Sequence, residues 1–214
     1  MFPESLDSMR VLAFEEQTRY LSKTSQPLRD IAEIMLNAGM GPEEVFRIRV
    51  ENIDIQQKTI FNPFGKTQAA RRTIPVTDDL LALLRRRMKR SRELDTPFLF
   101  PSRHNVQKPI GSVKKAHRSA ATRAKIKGHF RLYDLRHTFA TQTVASGADL
   151  PTLSSLLGHA SILMTMRYVH PAADQKCGAI EKYEKFRAEG IINATIREQS
   201  HRIPTEVTTL GRVN

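Results

Sequence analysis

Residues 130–171 read FRLYDLRHTFATQTVASGADLPTLSSLLGHASILMTMRYVHP. Capping residues divide this stretch into three pieces. LYDLRHTFATQTVAS is a helical segment that Gly147 ends. Asp149 caps PTLSSLL, which Gly158 stops, and Ser161 caps ILMTMRYV, which stops ahead of Pro171. That punctuation places Arg136, His159 and Tyr168 at or near helix starts, helix ends or short amphipathic turns. A guanidinium presents a planar fork of donors to phosphate oxygens. An imidazole donates a hydrogen bond or handles a proton near neutral pH. A phenol becomes a covalent nucleophile once its proton is taken. Together the three side chains form a kit for chemistry on a phosphodiester. Tyr133 and Arg136, three residues apart, share a helix face. His137 lies on another face and reads as a supporting core histidine.

Singly, each residue has an ordinary explanation. Arg136 suits a surface ion pair, His159 a helix C-terminus, and Tyr168 the closing of a last turn. The ordered set is harder to explain away, because His159 follows Arg136 by 23 residues and Tyr168 follows His159 by nine.

Composition narrows the partner. The 214 residues are enough for one substantial domain. With 34 Lys+Arg against 22 Asp+Glu the formal charge is +12, and the pI is about 10.2. That excess points to a polyanion, most commonly nucleic acid. No apolar run approaches the roughly 20 residues of a membrane span, and MFPESLDSMR lacks a signal-peptide layout. Cys177 stands alone, so no intramolecular disulfide is expected and a reducing cytosol fits. There is no Cys/His cluster at metal-ligand spacing and no Gly-rich phosphate loop. The chemistry is therefore expected to run without metal or nucleotide cofactor.

Upstream, the pattern gives a helix begun near Phe14 and a second over Leu28–Ala38, whose stripe is Ile31, Ile34, Met35 and Ala38. Gly39 ends it. Pro42 suits the first position of a third helix, with Glu43 and Glu44 at its positive end. After Asn52 the period changes to two: Ile53 and Ile55, Thr59 to Phe61, and Thr73 to Val76 form an antiparallel sheet, with a turn at Pro63 and Gly65. Lys66, Arg71 and Arg72 sit on that hairpin. Asp78 begins a helix with Leu80, Leu81, Leu83 and Leu84 inward. Its outer face of Arg85, Arg86, Arg87, Lys89, Arg90 and Arg92 is open to two readings, a solvated surface or a DNA contact. PFLFPS (97–102) is a short buried strand or turn. Ser112 caps a basic helix containing Lys114, Lys115, Arg118, Arg123 and Lys125, suited to phosphate contacts. Beyond Pro171 comes a helix with Ile180, Tyr183 and Phe186 on one side. The expected organisation is a lead-in over 1–10, one domain over 11–190, and a partly disordered tail over 191–214.

LYDLRHTFAT, LLGHAS and MTMRYVHP, in that order, resemble the catalytic core of the tyrosine recombinases, the phage-integrase family. That family's pattern is an arginine in H-x-x-R-H, a downstream L-G-H and then a tyrosine. The resemblance covers about residues 11–190. It implies an α+β fold, mainly helical with a small three-stranded antiparallel sheet. It also implies cleavage and rejoining of double-stranded DNA without ATP. Tyr168 would attack the scissile phosphate to give a 3′-phosphotyrosine, while Arg136 and His159 would bind the phosphate. GKTQAARRTIPV resembles the family's hairpin, so Lys66 would protonate the leaving oxygen. Tyr133 stands where histidine is usual; it can hydrogen-bond a phosphate, but with a pKa near 10 it is a poorer base. Arg71, Arg72, Lys114, Lys115 and Arg131 would lie along DNA, a homotetramer would form there, and the protein would be cytoplasmic, nucleoid-associated when bound.

One departure is large. GMGPEE resembles the family's G-M-R-P-x-E, and Gly41 occupies the place of the first of two phosphate-clamping arginines. Arg47 and Arg49 lie further along the same element and cannot reach that place without moving the backbone. Two expectations stay open on this point: an impaired recombinase, or an inactive remnant that binds or regulates DNA. The family's N-terminal clamp domain is not within the stretch that matches, and its absence has several open origins.

Overall fold

The stripe Ile31, Ile34, Met35 and Ala38 is wholly buried, and the helix that carries it is the centre of the packing. The computed structural model describes residues 9–65, 67–169 and 173–201. It divides into two units, Met1–Val169 and His170–Asn214. In the first unit, helix α1 is Phe14–Lys23, α2 Leu28–Ala38 and α3 Pro42–Phe46. A sheet follows, with β1 Ile53–Asp54, β2 Thr59–Asn62 and β3 Arg72–Pro75. Then come α4 Asp78–Glu93, α5 Lys114–Arg123, α6 Asp134–Ala145, α7 Leu150–Leu157 and α8 Leu163–Met166. Helix α2 packs on α6, α3, α4 and α1, and α5 packs on α1. The sheet is antiparallel in the order β1-β2-β3, with Ile53 opposite Ile60 and Ile60 opposite Ile74. Those three isoleucines share the inner face and are buried.

Two glycines are required by their surroundings. Gly39 ends α2 at φ 63°, and a Cβ there would lie 2.4 Å from the Phe139 ring on α6. Gly158 ends α7 at φ 71°, where a Cβ would meet Arg72 Nη1 at 2.8 Å. Both combine the left-handed backbone with close approach, so any side chain would be excluded twice over.

Helix α4 begins at Asp78 as expected, with Thr77 at its N-cap, the Thr77 hydroxyl accepting from the Leu80 amide at 3.4 Å; Asp78 pairs with Lys58 at 2.6 Å. Other details differ from those expected. Val113 holds the N-cap position of α5, with the Ser112 hydroxyl accepting from the Lys114 amide at 3.1 Å. The outer face of α4 is not wholly outward. Arg87 bonds Asp30 at 2.5 Å and lies 5.0 Å over the Phe100 ring, while Arg86 reaches the same carboxylate at 3.1 Å. Asp30 is buried, and a buried carboxylate draws cations onto itself.

Tyr20, on α1, is buried with its hydroxyl 2.8 Å from His117 Nδ1. His117 Nε2 lies 3.0 Å from the Phe130 carbonyl. A carbonyl only accepts, so Nε2 carries the proton and Nδ1 receives the tyrosine's. The pair ties α1, α5 and the segment entering α6 together.

The second unit is described by α9, Ala173–His201. Its apolar Ile180, Tyr183, Phe186, Ile191, Ile192 and Ile196 are exposed. The helix runs past residue 190, where a tail was expected to start, and residues 202–214 lie outside the described residues. Among the described residues no helix is long and apolar enough to cross a membrane.

Candidate active site

Arg136 sits in the first turns of α6 and is 6% exposed. Its Nη2 donates to the Leu157 carbonyl at 2.6 Å and its Nη1 to Glu44 Oε2 at 3.2 Å. Its Nε is buried and has no hydrogen-bond partner among the described residues. Glu44 is on α3, where its Oε2 also accepts from the Gly41 amide at 2.8 Å, closing the first turn. The same carboxylate takes Arg72, with Nη1 at 2.8 Å from Oε1 and Nη2 at 3.1 Å from Oε2. Arg72 Nε donates to the Leu156 carbonyl at 2.6 Å. One carboxylate thus joins α3, the sheet and α6, while two guanidinium groups also fix the last carbonyls of α7. Burial alone would raise the Glu44 carboxyl; hydrogen bonding and charge from Arg72, charge from Arg136 and the Gly41 amide together hold it below the ordinary range. Two cations against one anion leave the cluster net positive, a setting for a phosphate.

Arg72 therefore departs from the expectation that placed it along DNA. It is buried because a hairpin arginine opposite a buried carboxylate gains a fork of charge-assisted bonds. Arg71 beside it is exposed, as are Lys114 and Lys115. Lys66 lies outside the described residues.

Gly158 turns the chain after α7, and the His159 amide bonds the Ser154 carbonyl at 3.0 Å, closing the helix end. The imidazole Nδ1 lies 2.9 Å from the Thr165 hydroxyl. Burial first, then the charges of Arg136, Arg167, Arg72 and His137, press its pKa down to about 4. His159 is thus neutral at pH 7, with one ring nitrogen protonated and able to donate a hydrogen bond. Its ring lies parallel to that of Tyr168, within 11° and at 6.3 Å between centroids.

Tyr168 follows α8 in a turn; the helix stops at Met166, short of the tyrosine. The ring is 3% exposed and packs with Ala140, Leu153 and Leu157. Its hydroxyl lies 3.0 Å from Nδ1 of His137. Tyr133 places its ring edge-on to His137 at 4.9 Å, is half-open to solvent, and lies beneath the Arg136 guanidinium at 5.9 Å. Arg131, Tyr133, His137, His159, Met164, Arg167 and Tyr168 line one cavity of about 330 Å³. A larger cavity of about 620 Å³, beside α5, contains neither Tyr168 nor His159. Among the described residues no group of three or more His, Cys, Asp or Glu is placed to hold a metal ion.

The structure brings Tyr168, His159, Tyr133 and Arg131 to one cavity wall, with Arg136 just behind it. For three residues at or behind this wall the sequence gives no site role. Glu44 reads there only as a first-turn acid, and nothing separates it from Glu43 until Arg72 is opposite. His137 adjoins Arg136, and its partner Tyr168 is 31 residues away. Arg167 directly precedes Tyr168, which was the available signal. Gly41 has open space: a Cβ there would meet Glu44 Oε2 and Tyr133 Cε2, both at 3.7 Å, in ordinary contact. Arg47 pairs with Glu43 at 3.8 Å and Arg49 with Glu51 at 2.8 Å, so both are engaged elsewhere.

A family model described as the phage integrase family matches residues 6–175. The tyrosine recombinase XerD of Staphylococcus saprophyticus is 26% identical over 178 residues, covering 81% of this chain and 60% of the relative. The tyrosine recombinase XerA of Pyrococcus horikoshii is 27% identical over 171 residues, covering 78% and 59%. The chain thus spans about three-fifths of the length of these relatives. Among solved structures, XerA recombinase superposes with a TM-score of 0.67 at 23% identity, covering 84% of this chain and 66% of that one. The catalytic domain of bacteriophage HP1 integrase gives 0.59 at 23%, covering 81% and 95%. The Tn1549 transposon integrase, in complex with a circular intermediate DNA, gives 0.69 at 19%, covering 85% and 68%. The mainly helical α+β fold with its three-stranded sheet is the one shared with these recombinase structures.

Proposed function

The chain belongs to the phage integrase family, and from that premise we propose that it cleaves and rejoins double-stranded DNA through a 3′-phosphotyrosine on Tyr168. The observation that carries the reading is one cavity where the Tyr168 hydroxyl, the neutral His159 ring and a cationic wall meet. In this reading Tyr168 attacks the scissile phosphorus and the 5′ oxygen departs, protonated by Lys66. Arg136, with a spare buried Nε–H, stabilises charge on the non-bridging oxygens, the electrostatic contribution that usually dominates such catalysis. His159 donates to the same phosphate and Tyr133 supports it. Arg131, Arg71, Lys114 and Lys115 contact the duplex backbone. Recombination between two duplexes calls for a homotetramer on DNA, in the cytoplasm. Because the ester bond is conserved in the phosphotyrosine, no nucleotide is consumed.

Gly41 favours a slow enzyme, and a DNA-binding remnant is the second reading it supports. Removing one transition-state donor costs about 10²–10³ in rate, and an arginine in phosphoryl transfer contributes roughly 10³–10⁵. Gly41→Arg is expected to raise single-turnover cleavage of a nicked suicide duplex at least 10²-fold, since its Cβ fits beside Tyr133 and Glu44. The substrate is selected from a library with a randomised centre by covalent capture. Equal rates for the two proteins would remove the assignment of a defect to Gly41. No capture by either would favour the DNA-binding remnant.

A further inference from the structure

Resting on the reading above, we propose that His137 is the general base that takes the proton from the Tyr168 hydroxyl, acting through Nδ1. The bond is already made: Nδ1 and Oη are 3.0 Å apart, within the reach a proton acceptor needs. Oη is the reacting atom, and both side chains line the cavity a phosphate would enter. Other groups near the hydroxyl are less suited. Tyr133 offers a second phenol, and His159 turns its Nδ1 to Thr165 at 2.9 Å.

The proton inventory closes. The Tyr168 O–H bond breaks as N–H forms on His137 Nδ1. The Oη–P bond forms as the P–O5′ bond breaks, and the departing 5′ oxygen takes the proton of the Lys66 ammonium. On rejoining, the 5′ hydroxyl returns its proton to the neutral Lys66 amine as its oxygen re-forms the P–O5′ bond, the Oη–P bond breaks, and the imidazolium returns its proton to the departing phenolate. The groups facing His137 set when this happens. Burial first, and then Arg131, Arg167 and Arg136, hold its pKa below the ordinary histidine value; Asp134 acts the other way. Tyr133 and Tyr168 flank the ring, and His159 lines the same cavity. The imidazole is thus neutral, and free to accept, before DNA arrives. A phosphate entering beside Arg131 and Arg167 offsets their charge and raises the proton affinity of the ring. DNA itself would make His137 a better base.

Two measurements on the 214-residue chain test this. The first needs no DNA: long-range ¹H–¹⁵N correlation of the histidine rings, with His117 as internal reference because the Phe130 carbonyl fixes its Nε2–H form. His137 is expected in the same form, with Nδ1 bare. A proton on Nδ1 overturns the proposal whatever the chain does to DNA. The second compares His137→Asn, which keeps a polar atom at the Nδ1 position, with the unaltered chain in single-turnover cleavage of the captured duplex. The expected loss is about 10²–10⁴-fold, shrinking as pH rises because hydroxide then removes the tyrosine's proton. Native-like circular dichroism checks the variant's fold. Cleavage within threefold of the unaltered chain (about 0.6 kcal/mol in barrier) overturns the base and leaves the recombinase reading standing. No cleavage by the unaltered chain overturns both.

Discussion

The molecule builds a tyrosine–histidine pair twice, and the two copies behave differently. In each, the phenol meets Nδ1 of the imidazole, at 2.8 Å for Tyr20 with His117 and at 3.0 Å for Tyr168 with His137. In the first pair the phenol is enclosed. Tyr20 is fully buried, Phe130 packs edge-on against it at 5.1 Å, and the far nitrogen of His117 is taken by the Phe130 carbonyl. Burial drives the Tyr20 hydroxyl far above its ordinary pKa, so its proton stays. The second pair stands in the wall of a cavity shared with Arg131 and Arg167. It rests on a small satellite cluster and follows a four-residue helix whose Leu163, Met164 and Met166 are exposed. A hydrogen bond to histidine therefore does not by itself make a nucleophile. Access to the phenol itself separates the proposed working pair from the structural one: Tyr168 lines its cavity, whereas of the first pair only His117 lines the larger cavity beside α5.

That contrast breaks first on stability. Tyr20→Ala is expected to lower the unfolding free energy by about 3–5 kcal/mol, the range for large aromatic truncations in a core, as read by urea titration. A loss under 1 kcal/mol would mean that the first pair is not structural.

Acidification gives the next effect. His117, His137 and His159 are all held below the ordinary value of 6.5, His159 at about 4, with burial the largest cause in each. The unfolded chain binds protons at these sites before the folded one does, so stability is complete above pH 6.5 and falls as pH drops toward 4. Urea midpoints at pH 7 and pH 5 test the sign; an unchanged or higher midpoint at pH 5 contradicts it.

The finest comparison removes only the hydroxyls. Tyr20→Phe strands a buried acceptor on His117 and is expected to cost about 1–3 kcal/mol. Tyr168→Phe is expected to cost less than about 1 kcal/mol, because water in the adjoining cavity replaces the lost partner. Equal costs would erase the distinction between the pairs.

The elements were largely legible in the sequence and the pairings were not. The α2 stripe, Gly39, Pro42, the Asp149 cap and Gly158 are local signals, and each lies where the local rule puts it. Arg72 and Arg87 read as outward charges because an arginine's partner is set by tertiary register. Those partners, Glu44 and Asp30, are 28 and 57 residues away. Helix α6 hides its roles more deeply. Asp134, Arg136, His137 and Thr138 are all buried, so no polar face marks the functional side. The family resemblance supplied roles for Arg136, His159 and Tyr168, while its place on another helix face gave His137 only a supporting place in the core.

The most direct test of the account is the identity of the covalent bond. The unaltered chain is incubated with its captured suicide duplex, digested with protease and nuclease, and the modified peptide is sequenced by mass spectrometry. The account expects a nucleotide 3′-phosphate esterified to Tyr168, and no adduct from Tyr168→Phe. An adduct on any other residue, or one that survives in Tyr168→Phe, would contradict it.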